Sequence, residues 1–153
     1  MGKSPRHAFH PVNALLNVAF SVTAGRLTAL LSASGACPAI GFLHSDKPGR
    51  WSLAWDTIEP LRPMIEERVF DFIRRHQFGA NDFILTKPAP GSKSPGGHIR
   101  LMDNLLKTVI AETAISGRTL DAMVCWMVGL IGSSGCGGKL PPLEPALRQL
   151  SES

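Results

Sequence analysis

Tyrosine is absent from the chain, and cysteine is scarce. The three cysteines, Cys37, Cys125 and Cys136, are an odd count with no C-x-x-C spacing. That pattern gives neither a disulfide framework nor a zinc ribbon a basis, and reduced thiols in a cytoplasmic setting are the expectation. Long apolar runs are missing as well. The longest, Met123 to Ile131 with Gly129 inside it, is too short to cross a bilayer. Lys3 and Arg6 precede an apolar stretch, but Pro11, Asn13 and Asn17 interrupt it where a secretory leader needs continuity. No membrane partner is expected. Charge is thin: 16 Lys and Arg against 12 Asp and Glu leave +4, which permits a polyanionic partner without demanding one. No internal repeat is visible.

What is present is a globular composition, with 44% hydrophobic and 18% charged residues over 153 positions. One domain with a core of its own fits that length. The chain divides into a basic lead-in over 1–10, a single helical domain over 11–131 and a Gly/Pro-rich tail over 132–153. From Pro11 to Ser34 the apolar residues cover more than one face, as in a central helix packed on several sides. Gly35 is placed to stop it. Residues 39–54 read as a connector, with a turn at Asp46 to Gly49 and an extended piece from Trp51 to Trp55. A second helix is predicted to start between Asp56 and Pro60 and to run to His76. It carries Leu61, Ile65, Val69, Phe72 and Ile73 on its apolar stripe. Asp71 and Arg75 form its expected i, i+4 ion pair. Lys87 to Gly97 reads as a mobile surface loop. A third helix is predicted over 99–114, with Met102, Leu105, Leu106, Val109 and Ile110 inward. A fourth covers 119–131, using Leu120, Met123, Val124, Met127 and Val128. The fold class that follows is all-α with short strand-like connectors.

Two apparent motifs dissolve on inspection. Gly132 to Lys139 resembles a phosphate loop, but Ser133 stands where its first Gly belongs and Leu140 where Ser or Thr should ligate Mg²⁺. His7 and His10 are spaced for a shared metal, yet lie in the loose lead-in.

The informative stretch is Ile40 to Pro63, IGFLHSDKPGRWSLAWDTIEPLRP. It gathers His44, Asp46, Asp56 and Glu59, with Lys47, Arg50 and Arg62 interleaved. Asp56 and Glu59 are one helical turn apart, so a helix projects both from one face. A loop returning His44 to that face makes an imidazole-and-carboxylate site of the kind Mn²⁺ or Mg²⁺ accepts. The flanking cations suit phosphate. Read without a metal, the same acids complement a helix dipole and the His is a surface residue.

The run HPVNALLN at 10–17, then GFLHSDKPGR at 41–50, then SLAWDTIEPLRP at 52–63, resembles the helical C-terminal domain of the CRISPR adaptation integrase. That family is the metal-dependent DNA endonuclease that inserts spacers into CRISPR arrays. The likeness is close over 9–76, weaker at HIRL (98–101) and faint beyond Gly132. It implies His44 and Glu59 as metal ligands, Asp56 as a catalytic acid assisting them, and Mg²⁺ or Mn²⁺ as cofactor. Lys47, Arg50, Arg62, Lys87 and Lys93 become DNA-binding candidates.

The implied partners are double-stranded DNA, the second CRISPR adaptation protein, and a chain supplying the N-terminal part. The family's first ligand, a Glu on an earlier helix, has no counterpart in this sequence, and neither has its N-terminal β domain. A homodimer is not expected without that domain. Tyrosines common after the NALL motif are replaced here, with Val18 and Phe20 in their places. The implied activity is therefore that of an endonuclease impaired as an isolated chain. The alternative is a helical module that binds DNA or a partner without cutting.

Overall fold

The computed structural model describes residues 10–43, 51–86 and 98–134. Helix α1 spans Pro11–Ala33, α2 Ser52–Ile58, α3 Arg62–Arg75, α4 Asp103–Glu112 and α5 Gly117–Ser134. A 3-10 turn, Glu59–Leu61, joins α2 to α3, and two short strands, β1 (Phe83–Thr86) and β2 (His98–Leu101), precede α4. The fold is helical, as the apolar spacing predicts. Chain contacts divide it into two compact units, 1–22 with 63–114 and 23–62 with 115–153.

In the first unit Ile65, Val69 and Phe72 of α3 are buried as predicted, whereas Ile73 is only half-buried and Leu61 falls in the 3-10 turn before the helix. The ion pair on its wet face differs from expectation. Asp71 takes Arg74 at 2.8 Å, one residue earlier than predicted, while Arg75 donates to the Asp71 carbonyl at 3.2 Å. At the end of α3 His76 stacks on Phe72 with ring centroids 4.7 Å apart, and Phe78 lies 5.6 Å from Phe83 of β1. The third predicted helix is corrected at its start. Ile99 to Leu101 are strand, with β2 antiparallel to β1 in the register Phe83 to Leu101 and Thr86 to His98. Alternating His98, Ile99, Arg100 and Leu101 fits a period of two as well as a helical start, and pairing with β1 decides it. The helix begins only at Asp103, where Leu105 and Val109 are buried, whereas Met102 and Ile110 are exposed.

In the second unit α1 ends as predicted at Gly35, which has φ +79°. The Ala36 amide reaches the Leu31 carbonyl at 3.0 Å and the Gly35 amide reaches Ser32 at 3.1 Å, the two bonds of a Schellman stop. Helix α5 starts two residues before the predicted Thr119. Ser116 caps it, its Oγ accepting from the Thr119 amide at 3.2 Å. Leu120, Met123, Val124 and Met127 are buried as predicted, and the helix runs through Gly132 to Ser134 instead of giving way to tail. The larger correction is α2. Trp51 to Trp55 reads as extended from the sequence, yet helix begins at Ser52. Six of its seven residues are buried, so no polar face exists to reveal a helical period. The lead-in 1–9, the turn at 46–49, the loop 87–97 and the tail from 135 lie outside the described residues.

Helix α1 alone, among the described residues, is long and apolar enough by composition to span a bilayer. Ala14, Leu15, Ala19 and Phe20 are buried in the first unit and Leu27 and Leu31 in the second, so part of that apolarity is core.

Candidate functional site

The described part of the site is built by α2 and the turns on either side of it, all within the second unit. The connector leaving α1 is tied to α2 at its start: the Leu53 amide donates to the Pro38 carbonyl at 2.9 Å. It is tied again at Asp56. That carboxylate is 3% exposed, and its Oδ2 accepts the Phe42 amide at 2.5 Å and the Leu43 amide at 3.0 Å. Gly41 lies flat against the same helix. A Cβ at Gly41 would stand 2.6 Å from the Ser52 Cβ and 2.8 Å from the Asp56 Oδ2, so no larger residue fits without displacement.

Glu59 has a different setting. It begins the 3-10 turn, and both of its oxygens receive the Arg62 guanidinium, at 3.0 Å from Nε and 3.0 Å from Nη2. The pair is half-exposed, with side-chain exposures of 43% for Arg62 and 35% for Glu59. This is the fork geometry of guanidinium and carboxylate. A carboxylate so placed already presents two hard oxygen donors to a positive charge, a donor set suited to Mg²⁺ or Mn²⁺.

The structure thus returns the GFL segment to α2, and it separates the two acids by environment: Asp56 is enclosed and Glu59 is open. His44, Lys47, Arg50, Lys87 and Lys93 lie outside the described residues. Among the described residues no three His, Cys, Asp or Glu side chains gather as a metal cluster. Gly41 and Ser52 are contributors that reading for chemical side chains passes over. The signal for Gly41 is a glycine immediately before three large residues.

A cavity of about 530 Å³ lies in the first unit between the start of α1 and the hairpin. Asn17, Val18, His98, Arg100 and Leu106 line it, and none of the predicted site residues does.

Comparison with known proteins gives a consistent pattern. The family described as CRISPR associated protein Cas1 matches residues 1–114. The "CRISPR-associated endonuclease Cas1 2" of Rhodospirillum rubrum is 37% identical over 111 residues, covering 72% of this chain and 30% of that protein. The "CRISPR-associated endonuclease Cas1" of Leptospira interrogans is 46% identical over 76 residues, covering 50% of this chain and 30% of its own length. The chain therefore spans under a third of these relatives. Among solved structures, a "Partial Cas6-RT-Cas1--Cas2 complex" aligns with TM-score 0.70 at 19% identity, over 86% of this chain and 41% of the other. A "Casposase bound to integration product" aligns with TM-score 0.64 at 19% identity, over 81% and 39%. Both share the fold.

Proposed function

The chain belongs to the CRISPR-associated Cas1 family, and we propose that it is the helical part of a metal-dependent DNA endonuclease and integrase of spacer acquisition. The observation that carries this reading is the return of Gly41 to Leu43 onto Asp56, because His44 follows Leu43 in the chain and Glu59 opens the turn after α2. His44 and Glu59 would hold one divalent cation, with a further carboxylate as the third ligand. Bound there, Mg²⁺ or Mn²⁺ supplies polarisation of a phosphoryl oxygen and stabilises the charge that develops as a phosphodiester is attacked.

The chain's own groups do the rest. Glu59 offers its carboxylate from a half-exposed turn. Lys47, Arg50, Arg62, Lys87 and Lys93 would bind DNA phosphates. Relatives named endonucleases, a neighbour assembled with Cas2 and another bound to an integration product support DNA and a second adaptation protein as partners. One observation favours a second reading, a helical module that binds DNA or a partner without cutting. Arg62 engages both Glu59 oxygens, so the carboxylate is already neutralised.

Titration with Mn²⁺, followed by the loss of its free-ion paramagnetic resonance signal, separates the two. The catalytic reading expects millimolar-range binding, since few protein groups and several waters hold such an ion. Glu59→Gln and His44→Ala should each weaken it by about tenfold, roughly 1.4 kcal/mol. Cutting of labelled duplex should be slight for the chain alone. It should rise when a fragment carrying a further metal-ligating Glu is added, and His44→Ala should then abolish it. Binding indifferent to both substitutions removes the metal site and leaves the non-cutting module.

A further inference from the structure

We propose that Asp56 is a positioning residue and not a metal ligand: with Gly41 it clamps the backbone that leads into His44. The inference deepens the metal-site reading above and rests on it for its consequence, though the clamp itself is a feature of described residues alone.

The argument starts from what does not hold this segment in place. Ile40, Phe42 and Leu43 are 62%, 61% and 76% exposed, so burial of their side chains does not fix the loop. Backbone bonds do. One carboxylate oxygen, on a residue 3% exposed, takes two successive amides. Hydrogen bonds to an ionised acceptor are about twice as strong as neutral ones. Gly41 makes the approach possible, since a Cβ there would stand 2.8 Å from the accepting oxygen and 3.0 Å from the Ser52 carbonyl carbon. The bond from Leu53 to Pro38 secures the other end of the same segment at 2.9 Å. The chain is thus pinned at 38 and at 42–43, up to the residue that precedes His44 in the sequence. An oxygen engaged by two amides inside the fold is poorly placed to serve an ion outside it. Displacement of a reacting group by about 1 Å can cost on the order of a hundredfold in rate, so a clamp of this kind has catalytic consequence without touching substrate.

The two roles make opposite demands on one substitution. Asn keeps a carbonyl oxygen that accepts two amides but carries no charge; a ligand needs the charge, and a clamp needs the oxygen. The full chain should be compared with Asp56→Asn, Asp56→Ala and Gly41→Ala by amide hydrogen exchange and by Mn²⁺ titration. Gly41→Ala leaves every carboxylate intact and guards against loss of fold on emptying the Asp56 site. The clamp predicts that exchange protection of the Phe42 and Leu43 amides falls by about tenfold or more in Asp56→Ala and Gly41→Ala and largely survives in Asp56→Asn. Mn²⁺ affinity should follow the same order, within about threefold of wild type for Asn and down about tenfold for the other two. Equal loss of Mn²⁺ affinity in Asn and Ala, with protection intact in Asn, makes Asp56 a charge-bearing ligand and overturns the proposal. Unchanged protection in Asp56→Ala overturns the clamp directly. If the wild-type chain takes up no Mn²⁺, the metal reading has failed, and the exchange arm still decides the clamp.

Discussion

Helix α2 and the turn that follows it are contiguous, carry one acid each and have opposite characters. In α2 only Trp55 escapes full burial, and Asp56 is enclosed with Ser52, Leu53 and Ile58. In Glu59–Arg62 the acid and the base are half-exposed and satisfy each other. The difference teaches that spacing along a helix assigns a face and not a role. Asp56 and Glu59 share a sequence signature, yet one accepts the fold's own backbone amides from an enclosed position and the other keeps its oxygens at the surface.

The contrast breaks most visibly at the helix interior. Ile58 has no exposed surface. Ile58→Ala should lower unfolding free energy by about 2–5 kcal/mol through lost transfer energy and the cavity left behind. Denaturant unfolding with an unchanged m-value measures it. A loss below about 1 kcal/mol would mean that α2 is not the buried element described.

The acids themselves give the next effect. Asp56→Ala removes two charge-assisted bonds and should cost about 2–3 kcal/mol. Glu59→Ala, on an exposed turn, should stay within about 0.5 kcal/mol of wild type. Thermal unfolding of the two variants side by side makes the comparison quantitative. Equal costs would erase the distinction between enclosed and open acid.

How much of this was legible beforehand follows from where water touches the chain. Helix α3 has one dry and one wet face, so Ile65, Val69 and Phe72 announced themselves by period. Gly35 announced the end of α1 because a left-handed residue there favours glycine. Helix α2 did not announce itself, since burial on all sides erases the period. The hairpin was hidden because β1 and β2 are four residues each, and pairing across a gap in sequence leaves no local mark. At the site, residue types identified Asp56 and Glu59, and the motif order identified the family. That Asp56 would bind the Phe42 and Leu43 amides was not readable, because amides are common to every residue and only the fold selects which two meet a carboxylate.

A comparably small change in stability concerns Arg62, the partner of Glu59, and it sharpens the comparison from the open side. A half-exposed guanidinium–carboxylate pair contributes about 0–1 kcal/mol, so Arg62→Ala should barely move the unfolding midpoint. Its effect on cation binding has the opposite sign. The guanidinium occupies both Glu59 oxygens at 3.0 Å, and an incoming ion must displace it or share them. Removing it should therefore raise Mn²⁺ affinity by about threefold, some 0.7 kcal/mol, at low ionic strength. Near 1 M salt, where the screening length is about 3 Å, the difference between variant and wild type should shrink toward nothing. The bonds that Asp56 Oδ2 accepts from the Phe42 and Leu43 amides offer no such lever, since salt does not displace a backbone amide. Weaker Mn²⁺ binding in Arg62→Ala would show that the fork holds Glu59 in its working position instead of competing for it. The open acid would then be as dependent on its scaffold as the enclosed one.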